Sequence, residues 1–82
     1  MYQVQKKDGQ LEAFDRNKVI RGAVAAGATA EEAERVAAGI EAWLPTAVVN
    51  GLIKSAELRV KGLELLRGIN PTAAMSFEQY QK

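Results

Sequence analysis

The fold is set at the N-terminus, by a stretch that reads VQKKDGQLEAFDRNKV over residues 4–19. Apolar Val4 and Leu11 lie on either side of the turn dipeptide Asp8-Gly9. This dipeptide favours the positive φ angles of a tight two-residue turn, so we predict a β-hairpin over the first fourteen residues. Two strands alone are marginally stable in water, and the hairpin must therefore pack on the segments that follow it.

Helical signals follow the hairpin. We predict a first helix over about residues 16–26, with Asp15 as its N-cap. Thr29 and Glu32 have the spacing of a capping box, which predicts a second helix that ends at Pro45. Its apolar positions recur at helical spacing and form one buried face.

The second half of the chain predicts two more helices. Ser55 is the expected N-cap of the third, and Asn70-Pro71 is the expected start of the fourth, with Asn70 as cap. Residues 46–54 fit either an extended segment or a buried turn, with a turn signal at Asn50-Gly51. Three aromatic side chains lie at helical spacing and are expected in the core: Trp43, Phe77 and Tyr80.

These elements predict an α+β fold that is mostly helical, in which an N-terminal β-hairpin caps a four-helix bundle-like core. The chain has 82 residues, which corresponds to a single domain over residues 1–82. Such a domain is also expected as the N-terminal part of a longer protein. No apolar run approaches the roughly 20 residues of a membrane helix. The first residues are polar and are not followed by the apolar segment that a signal peptide requires, so we expect a cytoplasmic location.

The composition excludes several function classes. Without Cys or His there is no disulfide framework, thiolate metal site, thiol nucleophile or imidazole base. A formal net charge of +1 argues against a general nucleic-acid binder. The sequence contains neither a P-loop nor a dinucleotide fingerprint. We therefore expect that this chain is a regulatory domain and not an enzyme. This expectation does not extend to a longer parent protein that contains it.

Basic residues are concentrated in the first quarter of the chain. If the hairpin packs on the first helix, Lys6 and Lys18 face one concavity and form a small anion site. Glu12 lies between them and is suited to accept hydrogen bonds from a sugar hydroxyl or an exocyclic amine. The alternative is that these charges only solvate an exposed sheet edge and prevent aggregation.

The same stretch resembles the opening signature of the ATP-cone family. This signature has Val, two basic residues, Asp-Gly, Glu, Phe-Asp and a final Lys before an aliphatic residue, and all of them are kept here without gaps. The third helix start (residues 55–58) and the closing helix are also similar. The resemblance covers nearly the whole chain. It departs at Lys7, where Arg is common, at Arg59, where some members have His, and at Gln81, where many have Arg.

The resemblance implies a regulatory nucleotide-binding domain, best known at the N-terminus of ribonucleotide reductases. It implies ATP or dATP as an effector that is not hydrolysed, with Mg²⁺ held through the phosphates. It implies contacts to the triphosphate from Lys6, Lys7 and Lys18, and recognition of the base or ribose by Glu12. The pocket walls and the contacts from the third helix would come from Val4, Phe14, Val19, Ser55, Leu58 and Arg59.

Two other readings stay open. The first is a ligand-free interaction or oligomerisation domain of the same fold, with Trp43, Leu44 and Pro45 in its contact surface. The second is a transcription-regulator module, although nucleic-acid binding by this domain alone is not expected. In the leading hypothesis the partners are a nucleotide and a downstream domain, a partner chain or a second copy, with no membrane.

Overall fold

The structure, a computed structural model, describes the backbone of residues 2–80 and the side chains of residues 2–79. Met1, Gln81, Lys82 and the Tyr80 side chain lie outside this range, and with them the expected core position of Tyr80. In chain order the elements are β1 (Gln3–Gln5), β2 (Leu11–Ala13), α1 (Arg16–Ala25), α2 (Ala30–Ala47), β3 (Leu52–Lys54), α3 (Ser55–Ile69) and α4 (Pro71–Tyr80). The mostly helical α+β class is confirmed, with the hairpin at the N-terminus.

The hairpin forms as predicted, but its turn is longer than two residues. β1 and β2 are antiparallel, and Gln5 pairs with Leu11. The Lys6 N–H donates to the Gln10 carbonyl and the Gly9 N–H to the Lys6 carbonyl, both at 2.9 Å. Only Gly9 of the connecting residues has a positive φ, at 87°. The prediction of a two-residue turn is therefore wrong, because Asp8 keeps a negative φ and the connection includes a β-turn over residues 6–9 whose last residue, Gly9, has the positive φ.

A third strand, which agrees with the extended alternative for residues 46–54, completes the sheet. β3 pairs with β1 in parallel, and the strand order is β2-β1-β3. Asn50 and Gly51 form the turn before it, with φ values of 55° and 75°. Val49 and Leu52 exchange two backbone hydrogen bonds across this turn, each 3.0 Å. Residues 46–54, for which the sequence left two alternatives open, therefore contain both a tight turn and an extended strand.

The helix starts on α1 and α2 agree with the sequence. The Asp15 carboxylate accepts from the Asn17 N–H at 2.9 Å. At α2 the capping box is complete, since Thr29 Oγ1 accepts from the Glu32 N–H at 3.1 Å and Glu32 Oε1 accepts from the Thr29 N–H at 2.9 Å. These bonds satisfy backbone donors that have no partner within the helix.

Pro45 does not end α2, contrary to the expectation, because the helix continues to Ala47. A proline lacks the N–H that would bond to the preceding turn, but only one bond is lost. The last turn is held by the Val48 N–H, which donates to the Leu44 carbonyl at 3.0 Å. The Thr46 hydroxyl adds a bond of 2.7 Å to the Trp43 carbonyl.

The start of α3 also differs from the prediction. Lys54 occupies the N-cap position and makes no side-chain cap hydrogen bond, whereas Ser55 is already the first helical residue. The expected cap at α4 is confirmed, because Asn70 Oδ1 accepts from the Ala73 N–H at 3.1 Å. The Asn70 amide also donates to Glu32 Oε1 at 3.1 Å, which connects the starts of α4 and α2.

The core lies on α2, which packs against α1 on one side and α3 on the other, while α4 packs on α3. Its most buried large side chains are Ile40, Leu44 and Ile53. Trp43 and Phe77 pack against this core, as expected, and both are half-buried. Because Leu44 is fully buried, it cannot belong to an exposed contact surface beside Trp43. Among residues 2–80 no helix has the length and apolarity required to cross a membrane.

Candidate functional site

Three charged side chains join the hairpin to the first helix. Glu12 of β2 pairs with Lys6 through Oε2, at 2.8 Å from Nζ, and with Lys18 of α1 through Oε1. The sheet register explains this geometry, because Glu12 is opposite Val4 and shares the helix-facing side of the sheet with it. The expectation that Lys6, Glu12 and Lys18 come together is confirmed.

The two ammonium groups keep Glu12 ionised. Hydrogen bonds from Lys18 and then Lys6 lower the pKa of the Glu12 carboxyl from 4.5 to about 2. The same contact, through its hydrogen bond and charge, raises the pKa of Lys6. All three side chains retain solvent access, with exposed fractions of 48% for Lys6, 32% for Glu12 and 53% for Lys18. The ionic cluster is therefore open to an incoming ligand.

A basic cavity of about 260 Å³ lies where the hairpin loop meets the start of α3. It is lined by Gln5, Lys6, Lys7, Gly9, Lys54, Ser55 and Ala56. Three of these side chains are ammonium groups, and no carboxylate lines this cavity. Such a lining attracts an anion with several charges.

The N-terminus of α3 borders this basic cavity. Because Lys54 gives no side-chain cap, the N–H groups of the first turn of this 15-residue helix keep their donor capacity on the cavity side. Helix N-termini carry partial positive charge and bind phosphate groups through these N–H donors. The helix end therefore reinforces the attraction that the lysines exert on an anion.

An apolar cavity of about 400 Å³ lies between α1 and α3, which both pack on α2. Val36 and Ile40 of α2 line its floor, and Phe77 of α4 lies at one side. The remaining lining residues are Lys18, Val19, Gly22, Ala23, Ser55, Leu58, Arg59, Gly62 and Leu66. Polar groups at an apolar slot are typical of sites for small organic ligands.

The two cavities are adjacent, because Ser55 lines both of them. Lys6 borders the basic cavity, Lys18 borders the apolar one, and the Glu12 carboxylate bridges these two lysines. The combined site therefore has a polycationic part and an apolar part in contact. This arrangement suits a ligand that joins several negative charges to a flat, largely apolar ring system.

The structure brings most of the predicted site residues to these cavities. Lys6, Lys7 and Ser55 line the basic cavity, and the apolar cavity contains Lys18, Val19, Ser55, Leu58 and Arg59. Three predicted site residues line neither cavity. Glu12 contacts both cavities only through Lys6 and Lys18, which it bridges. Val4 is buried in the core and Phe14 packs against it, and neither lines either cavity.

The sequence analysis did not identify several lining residues. Lys54 enters the site through the parallel pairing of β3, in which it lies opposite Gln5. Gly22 and Gly62 widen the apolar cavity because they have no side chain there. A Cβ added to Gly22 would lie 3.8 Å from Phe77 Cε1. Among these additional lining residues, only Phe77 was indicated by the sequence, which placed it on the apolar side of the fourth helix.

The charged side chains suit a polyphosphate better than a protein-bound metal. Among the described residues no group of three or more carboxylate, imidazole or thiolate side chains is placed to hold a metal ion. Of the other early basic residues, Arg16 is used elsewhere, since its Nε donates to Glu41 Oε1 at 3.1 Å between α1 and α2.

Comparison with known proteins gives one result that agrees with this geometry. No curated protein matches the chain. The family model described as ATP cone domain matches residues 2–74, which include both cavities and the Lys6–Glu12–Lys18 cluster. This family consists of regulatory, non-catalytic domains that bind nucleotide effectors. With most of its length matched, the chain belongs to the ATP-cone family.

Proposed function

We propose that this domain binds ATP or dATP without hydrolysing it, and that the bound nucleotide controls an attached domain, a partner chain or the association of two copies in the cytoplasm. The observation that carries the proposal is the contact between the two cavities at Ser55. A nucleoside triphosphate matches these two cavities, because it joins a polyanion to a heteroaromatic ring. The family match supports a nucleotide as the ligand class.

In this proposal the triphosphate occupies the basic cavity. Lys6, Lys7 and Lys54 neutralise its charge there, together with the N-terminus of α3. Lys18 stands at the boundary with the apolar cavity and contacts the phosphates nearest the sugar. Mg²⁺ binds between phosphate oxygens, as it ordinarily does with nucleotides.

The nucleoside then occupies the apolar cavity. Val19 of α1 and Leu58 of α3 contact the faces of the base, with Phe77 at one side. Arg59 and Ser55 offer polar groups near the ribose. Glu12 is the hydrogen-bond acceptor for a ribose hydroxyl or for the exocyclic amine of the base.

The electrostatics favour binding over hydrolysis. Hydrolysis of a phosphoanhydride benefits from a base that accepts a proton from the attacking water. Glu12 is the carboxylate that pairs with Lys6 and Lys18, and in the ligand-free domain its pKa of about 2 makes it a very weak proton acceptor. In the ligand-free domain its two hydrogen bonds to ammonium groups occupy the oxygens that a water would need, and in the nucleotide complex a donor on the nucleoside takes their place.

Regulation follows from the number of elements that the ligand contacts. The two cavities are lined by residues from the hairpin and all four helices. A nucleotide that contacts them simultaneously stabilises one arrangement of the bundle over others. The surface offered to a neighbouring domain or chain then changes with nucleotide occupancy, which is a coupling between two sites.

Calorimetric titration with ATP and dATP in the presence of Mg²⁺ tests the proposal. We expect saturable binding of one or both nucleotides and no release of inorganic phosphate on prolonged incubation. A sample that is folded by circular dichroism and shows no binding heat at millimolar nucleotide would contradict the proposal.

A second candidate function is a ligand-independent interaction domain. A groove of about 510 Å³ lies on the other side of α3, and its lining includes Trp43, Val60 and Lys61. Val60 is 64% exposed, and Lys61 Nζ lies 5.8 Å from the centre of the Trp43 ring. Sedimentation velocity with and without nucleotide separates the two functions. Association that nucleotide leaves unchanged favours the interaction domain.

A further inference from the structure

We infer that Glu12 is an internal counter-ion which the triphosphate must displace, and that its release couples recognition of the phosphates to recognition of the nucleoside. This inference rests on the proposed function. It starts from the ligand-free contacts, in which one Glu12 oxygen is held by Lys6 and the other by Lys18. A carboxylate that is occupied in this way does not offer a free acceptor to a nucleoside.

The displacement begins at the basic cavity. Among residues 2–80 no ion pair involves Lys7 or Lys54, so these two lysines attract the polyanion first. The incoming phosphates then compete with Glu12 for Lys6, which lines the same cavity. A triphosphate carries more charge than one carboxylate and also contacts the other cations, so it displaces Glu12 from Lys6.

Lys18 transmits the displacement to the second cavity. It belongs to the lining of the apolar cavity and holds the remaining Glu12 oxygen. When phosphate oxygens take over both ammonium groups, the carboxylate is left without partners and is repelled by the phosphates beside it. It becomes available to a hydrogen-bond donor on the nucleoside, a ribose hydroxyl or an exocyclic amine, and this contact restores its lost hydrogen bonds.

Glu12 consequently weakens the binding of inorganic polyphosphate and strengthens the binding of a complete nucleotide. Inorganic tripolyphosphate displaces the carboxylate without offering it a new donor. When adenosine binds alone, both Glu12 oxygens are still paired with Lys6 and Lys18 and offer it no free acceptor. Only a ligand that has both parts displaces Glu12 and binds it again, so the two parts bind more tightly together than separately.

The test uses the two halves of the ligand as separate probes, inorganic tripolyphosphate and adenosine, without Mg²⁺ so that the phosphate charge is undiminished. For the unaltered domain, saturating tripolyphosphate is expected to strengthen adenosine binding at least about fivefold, and adenosine to strengthen tripolyphosphate binding by the same factor. In Glu12→Gln the uncharged amide no longer forms ion pairs with the lysines and is displaced from them more easily. Tripolyphosphate should then bind about threefold to tenfold more tightly, and the coupling should disappear.

Glu41→Gln is the matched control, because it removes a carboxylate whose partner is Arg16, and Arg16, unlike Lys6 and Lys18, lines neither cavity. It should change neither the affinities nor the coupling. The inference is overturned if Glu12→Gln binds tripolyphosphate no more tightly than the unaltered domain, or if the coupling persists in the variant. Absence of ATP binding by the folded domain would overturn the proposed function as well, whereas ATP binding without coupling overturns this inference alone.

Discussion

Gln5 and Lys54 are register partners in the parallel pairing of β1 with β3. This pairing places the Lys54 side chain at the cavity that Lys6 and Lys7 line on the hairpin. Lys54 is also the residue that precedes the first turn of α3. One backbone pairing therefore assembles a cation from the middle of the chain, two from the N-terminus and a helix end.

The pairing predicts that Lys54 contributes to phosphate binding. Lys54→Ala should weaken ATP binding about fivefold, the size of one solvated charge contact, and should leave adenosine binding unchanged. Calorimetric titration with both ligands measures this difference. Arg35→Ala is the control, since Arg35 pairs with Glu31 on α2 and borders neither cavity. Equal losses in the two variants would mean that only net charge matters.

Lys18 is expected to act mainly on the phosphates. Lys18→Ala should weaken ATP binding by about tenfold, because it removes a charge-assisted contact, while adenosine affinity changes much less. The loss should also shrink as salt is raised, since Lys18 is 53% exposed. If ATP and adenosine lose affinity equally, Lys18 contacts the nucleoside instead.

Gly22 permits a direct test of the apolar cavity. A Cβ added at this position meets only Phe77 within 4 Å, at 3.8 Å, and a longer side chain extends into the cavity that Gly22 lines. Gly22→Leu should therefore abolish adenosine binding while tripolyphosphate still binds. Stability should not fall, because leucine is favoured over glycine in a helix by about 0.5–1 kcal/mol.

Gly68→Leu is the matched control for this substitution, since nothing lies within 4 Å of a Cβ at Gly68. It should leave adenosine binding intact. A Gly22→Leu protein that is folded and binds adenosine normally would place the nucleoside outside this cavity.

Asn70 is predicted to stabilise two helix starts together. It caps α4 through Ala73 and donates to the Glu32 carboxylate of the α2 capping box. Asn70→Ala should lower the free energy of unfolding by about 1–2 kcal/mol, the usual cost of a lost cap. Urea denaturation measures it, with the exposed Asn17→Ala as control. A loss no larger than that of the control would show that these bonds contribute nothing to stability.

The low pKa of Glu12 predicts how stability depends on pH. Because the folded value of about 2 lies below the ordinary 4.5, the unfolded state takes up the proton first. The stabilisation from Glu12 is complete above about pH 4.5 and is lost as pH falls towards about 2. Glu12→Gln should therefore lose less stability than the unaltered domain over this interval.

Denaturant titrations of both proteins between about pH 2 and pH 6 measure this difference, and added salt should reduce it. The variant curve should still slope, because hydrogen bonds from the Thr29 backbone and from Asn70 also lower the pKa of Glu32. Parallel curves for the two proteins would show that the Glu12 ion pairs do not persist in solution.

Much of the local structure was predictable because its physical causes act within a few residues. Asp15, Thr29 with Glu32, and Asn70 each accept or donate hydrogen bonds within three residues, and all were identified as caps. The errors were also local. Pro45 removes only one hydrogen bond and so did not end its helix, and Lys54 took the N-cap position assigned to Ser55.

The sequence by itself therefore determined the hairpin, the helices and, through the resemblance of residues 4–19, the membership of the ATP-cone family. Only the tertiary structure decided the third strand. β1 and β2 are equally short but are joined by a local turn signal, whereas β3 gains its hydrogen bonds from β1, far away in the chain. The tertiary structure likewise brought Lys54 to the lysines of the hairpin and left a cavity between α1 and α3. Cavities form where helices that are distant in sequence fail to touch, and no local interaction specifies that gap.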